Sequence, residues 1–151
     1  MANTRPVIIT CAITGAIHTP SMSPHLPASP EAIVASAVEA ARAGATVLHL
    51  HARDPATGRP DQSVEGFRAI VPRIAEQTGA ILNLTTGGSP YMRVEDRVRP
   101  AAELRPELAS LNMGSMNMGL FPMLRRYPQM AGWEREHLEG SADLVFKNTY
   151  K

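Results

Sequence analysis

Two histidines, His49 and His51 on either side of Leu50, are the residues in this chain whose type and spacing most plainly suit chemistry. They close an apolar run over residues 46–51, and side chains two apart on a strand point the same way. Two imidazoles presented together at a strand end suit a metal of the zinc type. They could equally be hydrogen-bonded histidines flanking a core leucine. Arg53 and Asp54 follow; Asp54 could brace a ligand from behind, although a solvated turn pair is the expected role for both. A second candidate is Thr85, Thr86, Gly87 and Gly88. Consecutive glycines let backbone N–H groups approach an anion closely, and hydroxyls add donors, so the turn could hold a carboxylate or an enolate oxygen. Its simpler reading is a turn closing a βα loop. Ser110 and Asn112 alternate with Leu111, so both could face one pocket or be satisfied core polar groups. His18 and His25, in a Pro-rich stretch, read as surface or lining residues, and His137, in the charged stretch 134–139, as solvated.

These residues need elements to position them. Residues 7–13 are nearly continuously apolar and β-branched, the pattern of a strand buried on both faces. Pro20, Pro24, Pro27 and Pro30 then make residues 15–30 a long loop, of a length usually reserved for function. Ser29, Pro30 and Glu31 read as N-cap, first-turn proline and first-turn acid of a helix that Gly44 ends. Residues 46–51 form a second strand, and residues 54–60 a turn-rich loop. A helix capped by Ser63 buries Val64, Phe67, Ile70, Val71 and Ile74 and is kinked at Pro72. Residues 80–85 form a third strand, residues 107–112 a fourth after a short helix, and residues 113–140 a poorly patterned excursion. Strand and helix in alternation predict an α/β fold with about four parallel strands and crossover helices. In such folds the strands' carboxyl ends carry the site, and the Gly15 loop, His49 and His51, the Thr85 to Gly88 turn, and Ser110 with Asn112 all fall there.

Composition narrows the function classes. Fifteen Lys plus Arg against fourteen Asp plus Glu give a net charge of +1, without the footprint of a nucleic-acid or anionic-membrane partner. No apolar run reaches the roughly 18 residues of a membrane span. Arg5 ahead of residues 7–13 loosely mimics a signal peptide, but Thr10 and Thr14 interrupt the run. The lone Cys11 and the absence of a span predict a cytoplasmic setting.

The ordered motifs carry a resemblance. Thr14-Gly15-Ala16, Leu26-Pro27 with Pro30-Glu31, Ala43-Gly44-Ala45, Leu48 to Asp54, Thr85 to Gly88, and Pro106 to Asn117 resemble the β-keto acid cleavage enzymes, typified by the 3-keto-5-aminohexanoate cleavage enzyme. The resemblance implies the amino-terminal half of a zinc-dependent (β/α)8 TIM barrel that condenses a β-keto acid with acetyl-CoA, releasing acetoacetate and a new acyl-CoA. It implies that His49 and His51 are zinc ligands, that Thr85, Thr86, Gly87, Gly88, Ser110 and Asn112 bind substrate, and that acetyl-CoA is the co-substrate. Ile17 stands where the aminohexanoate enzyme has a glutamate for the substrate amine, which implies a neutral or apolar acyl group. The family's third ligand, a glutamate, and its assisting arginine and aspartate belong to the second half of the barrel. Residues 1–151 are therefore expected to be a partial barrel domain, with residues 120–142 extra to the family pattern as a lid or an oligomer contact. A barrel needs about 250 residues. The isolated chain is expected to bind zinc weakly and to lack activity, and the full-length form to be a homo-oligomer. Two alternatives stand beside this. One is a non-catalytic half-barrel completed by another chain. The other is a metal-dependent hydrolase barrel, whose His-x-His pair ends the first strand rather than the second.

Overall fold

The computed structural model describes residues 5–88 and 92–150. Four parallel strands form the central sheet in the order β1 (Thr10–Ala12), β2 (Val47–Leu50), β5 (Ile81–Leu84), β6 (Leu108–Ala109). Helix α1 (Pro30–Arg42) joins the first two strands. Helices α2 (Val64–Arg68) and α3 (Val71–Gln77) join the second pair, and α4 (Val94–Leu104) the third. The fold is thus α/β, a parallel sheet with crossover helices, as the alternation predicts.

Local chemistry sets the helix limits. The Ser29 hydroxyl accepts from the Ala32 N–H at 3.2 Å, with Pro30 in the first turn and Glu31 beside it. Gly44, at φ 109°, ends the helix in a conformation that disfavours a side chain. Ser63 caps α2 by accepting from the Gly66 N–H at 3.0 Å. The helix breaks at Ala69 and Ile70, and α3 resumes with Pro72 in its first turn, where a missing N–H costs nothing.

One face of the sheet meets the helices. Ile33, Val34, Ala37 and Val38 of α1 pack with Leu48 and Leu50 of β2, Leu82 and Leu84 of β5, and Phe67, Ile70 and Ile74. Because strand side chains alternate, His49 and Asn83, paired across the sheet, fall on the opposite face. Two further hairpins cap the strands' carboxyl ends. β3 (Ala52–Arg53) pairs antiparallel with β4 (Pro60–Asp61), and β7 (Met116–Asn117) with β8 (Val145–Phe146). Between the last two, a 3-10 turn at Phe121–Arg125 leads to helix α5 (Gly132–Glu139) and a 3-10 turn at Gly140–Asp143.

The outer strands depart from expectation. Residues 7–13 and 107–112 read as buried on both faces, yet Val7 and Ile8 are each 77 % exposed, Leu111 78 % and Met113 79 %. Both segments lie at sheet edges, so each lacks a neighbour on one side and shows apolar side chains to solvent. No helix among the described residues is long and apolar enough to cross a membrane.

The helix-packed face predicts where stability resides. Phe67 is fully buried against that core, so Phe67→Ala lowers unfolding free energy by about 3–5 kcal/mol in urea titration, with an unchanged slope of the transition.

Candidate functional site

A cavity of about 780 Å3 opens at the strands' carboxyl ends, within the size range of small-molecule sites. The β2 end supplies the imidazole pair. His49 lies in β2 and His51 just past it, and their Nε2 atoms stand 3.1 Å apart. Across the sheet, His49 Nδ1 lies 3.1 Å from Asn83 Oδ1, so the ring donates a proton there and its Nε2 faces His51. Burial, the neighbouring His49 and Arg53 push the His51 imidazole down to about 4, so it is neutral at ordinary pH.

A metal fits this pair as two of its corners. Nε2 atoms bound to one tetrahedral zinc at ~2.0–2.1 Å sit about 3.3–3.4 Å apart, close to the spacing seen. A ligand must be neutral, as His51 is, and its Nε2 is free for a metal once the ring proton is carried on Nδ1. Among the described residues no third His, Cys, Asp or Glu joins them. The bracing role considered for Asp54 falls to Asn83. Asp54 Oδ1 accepts from the Ala56 N–H, the Thr57 N–H and the Thr57 hydroxyl, which closes the β3–β4 turn.

The turn after β5 provides the opposite polar wall, with Thr85, Gly87, Gly88, Ser110 and Asn112 on the cavity. Several of its donors are committed within the turn. The Thr85 hydroxyl accepts from the Gly87 N–H at 3.0 Å, and the Ser110 hydroxyl accepts from the Thr86 N–H at 2.9 Å. The Thr86 hydroxyl donates to the Ser110 carbonyl, so Thr86 locks β5 to β6 and does not line the cavity. Gly88, at φ 55°, packs so closely that a Cβ would meet the Arg97 side chain at 3.0 Å. Gln62 holds this turn from below, donating to the carbonyls of Thr85 and Arg97.

Arg53 overturns its reading as a solvated turn residue. It is 2 % exposed, and its guanidinium donates to the Thr14 hydroxyl at 2.7 Å and to the carbonyls of Gly58 at 2.7 Å, His18 at 2.8 Å and Gly15 at 2.9 Å. Burial lowers it to about 10, still charged at neutral pH. It draws the Pro-rich loop over the strand ends, which brings Gly15, Ile17 and His18 onto the cavity; His25 remains exposed outside it. Gly58, at φ 72°, abuts the same loop, and a Cβ there would lie 2.5 Å from Pro20 Cγ.

The excursion after β6 closes the cavity from the far side. Trp133, Glu136 and His137 of α5 line it, with Met116 and Phe146 of the last hairpin. Glu134, on the same helix, accepts from the Ser21 N–H at 2.9 Å and from the Ser21 hydroxyl. Burial alone would raise its pKa, but the Ser21 donors outweigh that and hold it below the usual range. Arg97, beneath Phe146, donates to the Lys147 carbonyl and Asn148 Oδ1. His137 is not solvated as expected. Its Nε2 is buried without a partner among the described residues, and burial, Arg53 and Arg59 together hold its pKa low. Trp133, His137 and Arg59 were missed because their meaning depends on α5 folding back over the strand ends, and the anchoring role of Arg53 because most of its partners lie far back in the loop after β1. Asn83 had a readable signal, a polar residue between Leu82 and Leu84 in register with His49.

Known proteins match this architecture. A family model described as beta-keto acid cleavage enzyme matches residues 6–151. A "3,5-dioxohexanoate:acetyl-CoA acetone transferase" of Paraburkholderia graminis is 58% identical over 151 residues, 99% of this chain and 49% of that protein. A "3-keto-5-aminohexanoate cleavage enzyme" of Acetoanaerobium sticklandii is 44% identical over 114 residues, 75% of this chain and 41% of that protein. Among solved structures, the binary complex of ObcA with oxaloacetate, a TIM-barrel protein, superposes with a TM-score of 0.53 at 31% identity, over 62% of this chain and 24% of that one. The chain spans about half the length, or less, of the curated relatives it matches.

The Arg53 network predicts a severe cost for its loss. Arg53→Met takes the donor from five buried or part-buried acceptors, and removing the charge-assisted bonds lowers stability by about 3 kcal/mol or more, read by thermal and urea unfolding. A loss under 1 kcal/mol would show that the loop holds itself in place.

Proposed function

The chain belongs to the β-keto acid cleavage enzyme family, and on that premise we propose that it forms the metal-binding and substrate-holding part of an enzyme exchanging a carbon–carbon bond between a β-keto acid and acetyl-CoA. The products are acetoacetate and a new acyl-CoA. The observation that carries this reading is the convergence of two imidazoles, their Nε2 atoms 3.1 Å apart, on a cavity also lined by hydroxyls and glycines.

His49 and His51 would hold zinc, with Asn83 fixing the first ring. Bound there, zinc supplies a Lewis acid for the keto oxygen of the substrate. Thr85 and Ser110 offer hydroxyls, and Gly87 and Gly88 a close backbone approach, to the oxygen atoms of the β-keto acid; Asn112 offers an amide at the rim. Thr86 keeps that turn in place. Ile17, an apolar wall residue, offers a cationic tail no carboxylate at that position, which favours a neutral acyl group. The substrate named for the Paraburkholderia graminis relative, 3,5-dioxohexanoate, has that character. The third zinc ligand and the residues that move protons are contributed from outside this chain, which gives the activity to an assembled barrel, homo-oligomeric and cytoplasmic. The contribution of α5 to the cavity favours a lid role for residues 120–142.

The test joins the 151-residue chain to the part of the Paraburkholderia graminis relative that it does not match. The joined protein is expected to release acetoacetate from 3,5-dioxohexanoate in an acetyl-CoA-dependent reaction, and His49→Ala to lower kcat at least about a hundredfold. Preference for 3-keto-5-aminohexanoate overturns the neutral-substrate assignment, and full activity in His49→Ala overturns the metal role.

The exposed apolar residues on both edge strands favour a second reading, in which the chain pairs with another chain to complete its sheet. By light scattering the 151-residue chain is then a dimer or larger, and Ile8→Lys returns it to a monomer. A monomeric wild-type chain removes this reading.

A further inference from the structure

Two arginines bring positive charge to the cavity; the Asp54 carboxylate, occupied in the β3–β4 turn, feels Arg59 but makes no ion pair with it. The Arg53 guanidinium is buried, and every hydrogen-bond partner it has is neutral: one hydroxyl and four carbonyls. Two of those carbonyls belong to wall residues, Gly15 and His18, so an uncompensated charge stands directly behind the wall. Charge in so poorly solvated a position acts over a longer range than one at the surface. Arg59 lines the cavity itself. Its guanidinium carbon lies 5.2 Å from the centroid of the Trp133 ring, and among the described residues no carboxylate lies within ion-pair distance of it. Glu136 is the wall's carboxylate among the described residues, and Glu134 on the same helix is held by Ser21.

We propose that Arg59, braced on Trp133, is a binding residue for an oxyanion brought in by the cavity's ligands: the carboxylate of the β-keto acid or a phosphate of coenzyme A. This rests on the reading of the cavity as the site for those two molecules and adds a residue that neither the motifs nor the metal pair includes. Stacking on an indole occupies the flat face of a guanidinium and leaves its N–H edge free. That edge matches carboxylate and phosphate oxygens two at a time. Trp133 reduces the freedom of a long side chain before the anion arrives, and Arg53 adds to the potential that draws it in. α5 therefore completes the site by supplying the platform, not only by covering the opening.

Trp133 is the sole tryptophan of the chain and lies against Arg59, so its fluorescence reports binding directly. The probes are inorganic phosphate, acetyl-CoA and acetoacetate, titrated into wild type, Arg59→Gln and Arg59→Lys, with calorimetry as a second readout. Loss of one charge-assisted contact is expected to weaken binding about tenfold in Arg59→Gln, with a shallower salt dependence and partial recovery in Arg59→Lys. Weakening confined to acetyl-CoA and phosphate assigns the contact to coenzyme A, and weakening confined to acetoacetate assigns it to the β-keto acid. Affinities for acetyl-CoA or acetoacetate within twofold of wild type in Arg59→Gln overturn the inference and leave the family reading standing. Arg59-dependent binding of phosphate, with acetyl-CoA and acetoacetate both ignored, overturns the family reading of the cavity and, with it, the assignment of the oxyanion to these two molecules. No binding of any probe to wild type overturns both.

Discussion

A single buried guanidinium organises the mouth of this sheet. Arg53 ends the short strand after β2 and reaches back to the loop that leaves β1, so it joins the connections of two adjacent parallel strands. Hydrogen bonds to an ionised donor are worth roughly twice those between neutral groups, and buried carbonyls with no alternative partner make each one costly to lose. The Pro-rich loop has little regular structure of its own beyond one 3-10 turn at Pro20–Met22, and its prolines cannot donate. Its course is set from outside, by Arg53 and by the Glu134–Ser21 contact. Only with the loop so placed do Ile17 and the imidazoles share a cavity.

The sheet then separates two duties by its two faces. Leu48, Leu50, Leu82 and Leu84 hold the helices, while the alternate positions His49 and Asn83 turn away toward the strands' other side. Register does chemical work here, because a one-residue slip between β2 and β5 would take Asn83 from His49 and release the ring's tautomer. The apolar edges of β1 and β6 mark where the same arrangement is open, consistent with a chain about half as long as its matched relatives.

Much of this was legible in residue order. The caps at Ser29 and Ser63, the break near Pro72, the β2 and β5 strands and the common address of His49, His51, Thr85, Gly88, Ser110 and Asn112 all follow from periodicity and punctuation. What failed was burial at the edges, since an apolar run reads the same whether its neighbour strand is present or not. Arg53 failed for a different reason. A charged residue beside Asp54 and Pro55 has every local mark of a solvated turn, and its partners lie 35 to 39 residues away in Thr14, Gly15 and His18, as well as nearby in Gly58. His137 was misread likewise, because its helix is charged in sequence and the cavity and arginines that His137 meets, Arg53 and Arg59, lie far upstream.

Gly58 shows what such packing means for how the site could diversify. The backbone there is left-handed and the missing side chain is the space that Pro20 occupies, while its carbonyl is one of the Arg53 acceptors. A side chain there would have to solve two problems together without shifting that carbonyl, so this position is closed to gradual change. Ile17 and Asn112, side chains on the same cavity, can vary one at a time. The wall is thus divided into a fixed frame and a set of interchangeable facings. A protein built this way could take on new acyl groups without ever disturbing the loop that defines the opening.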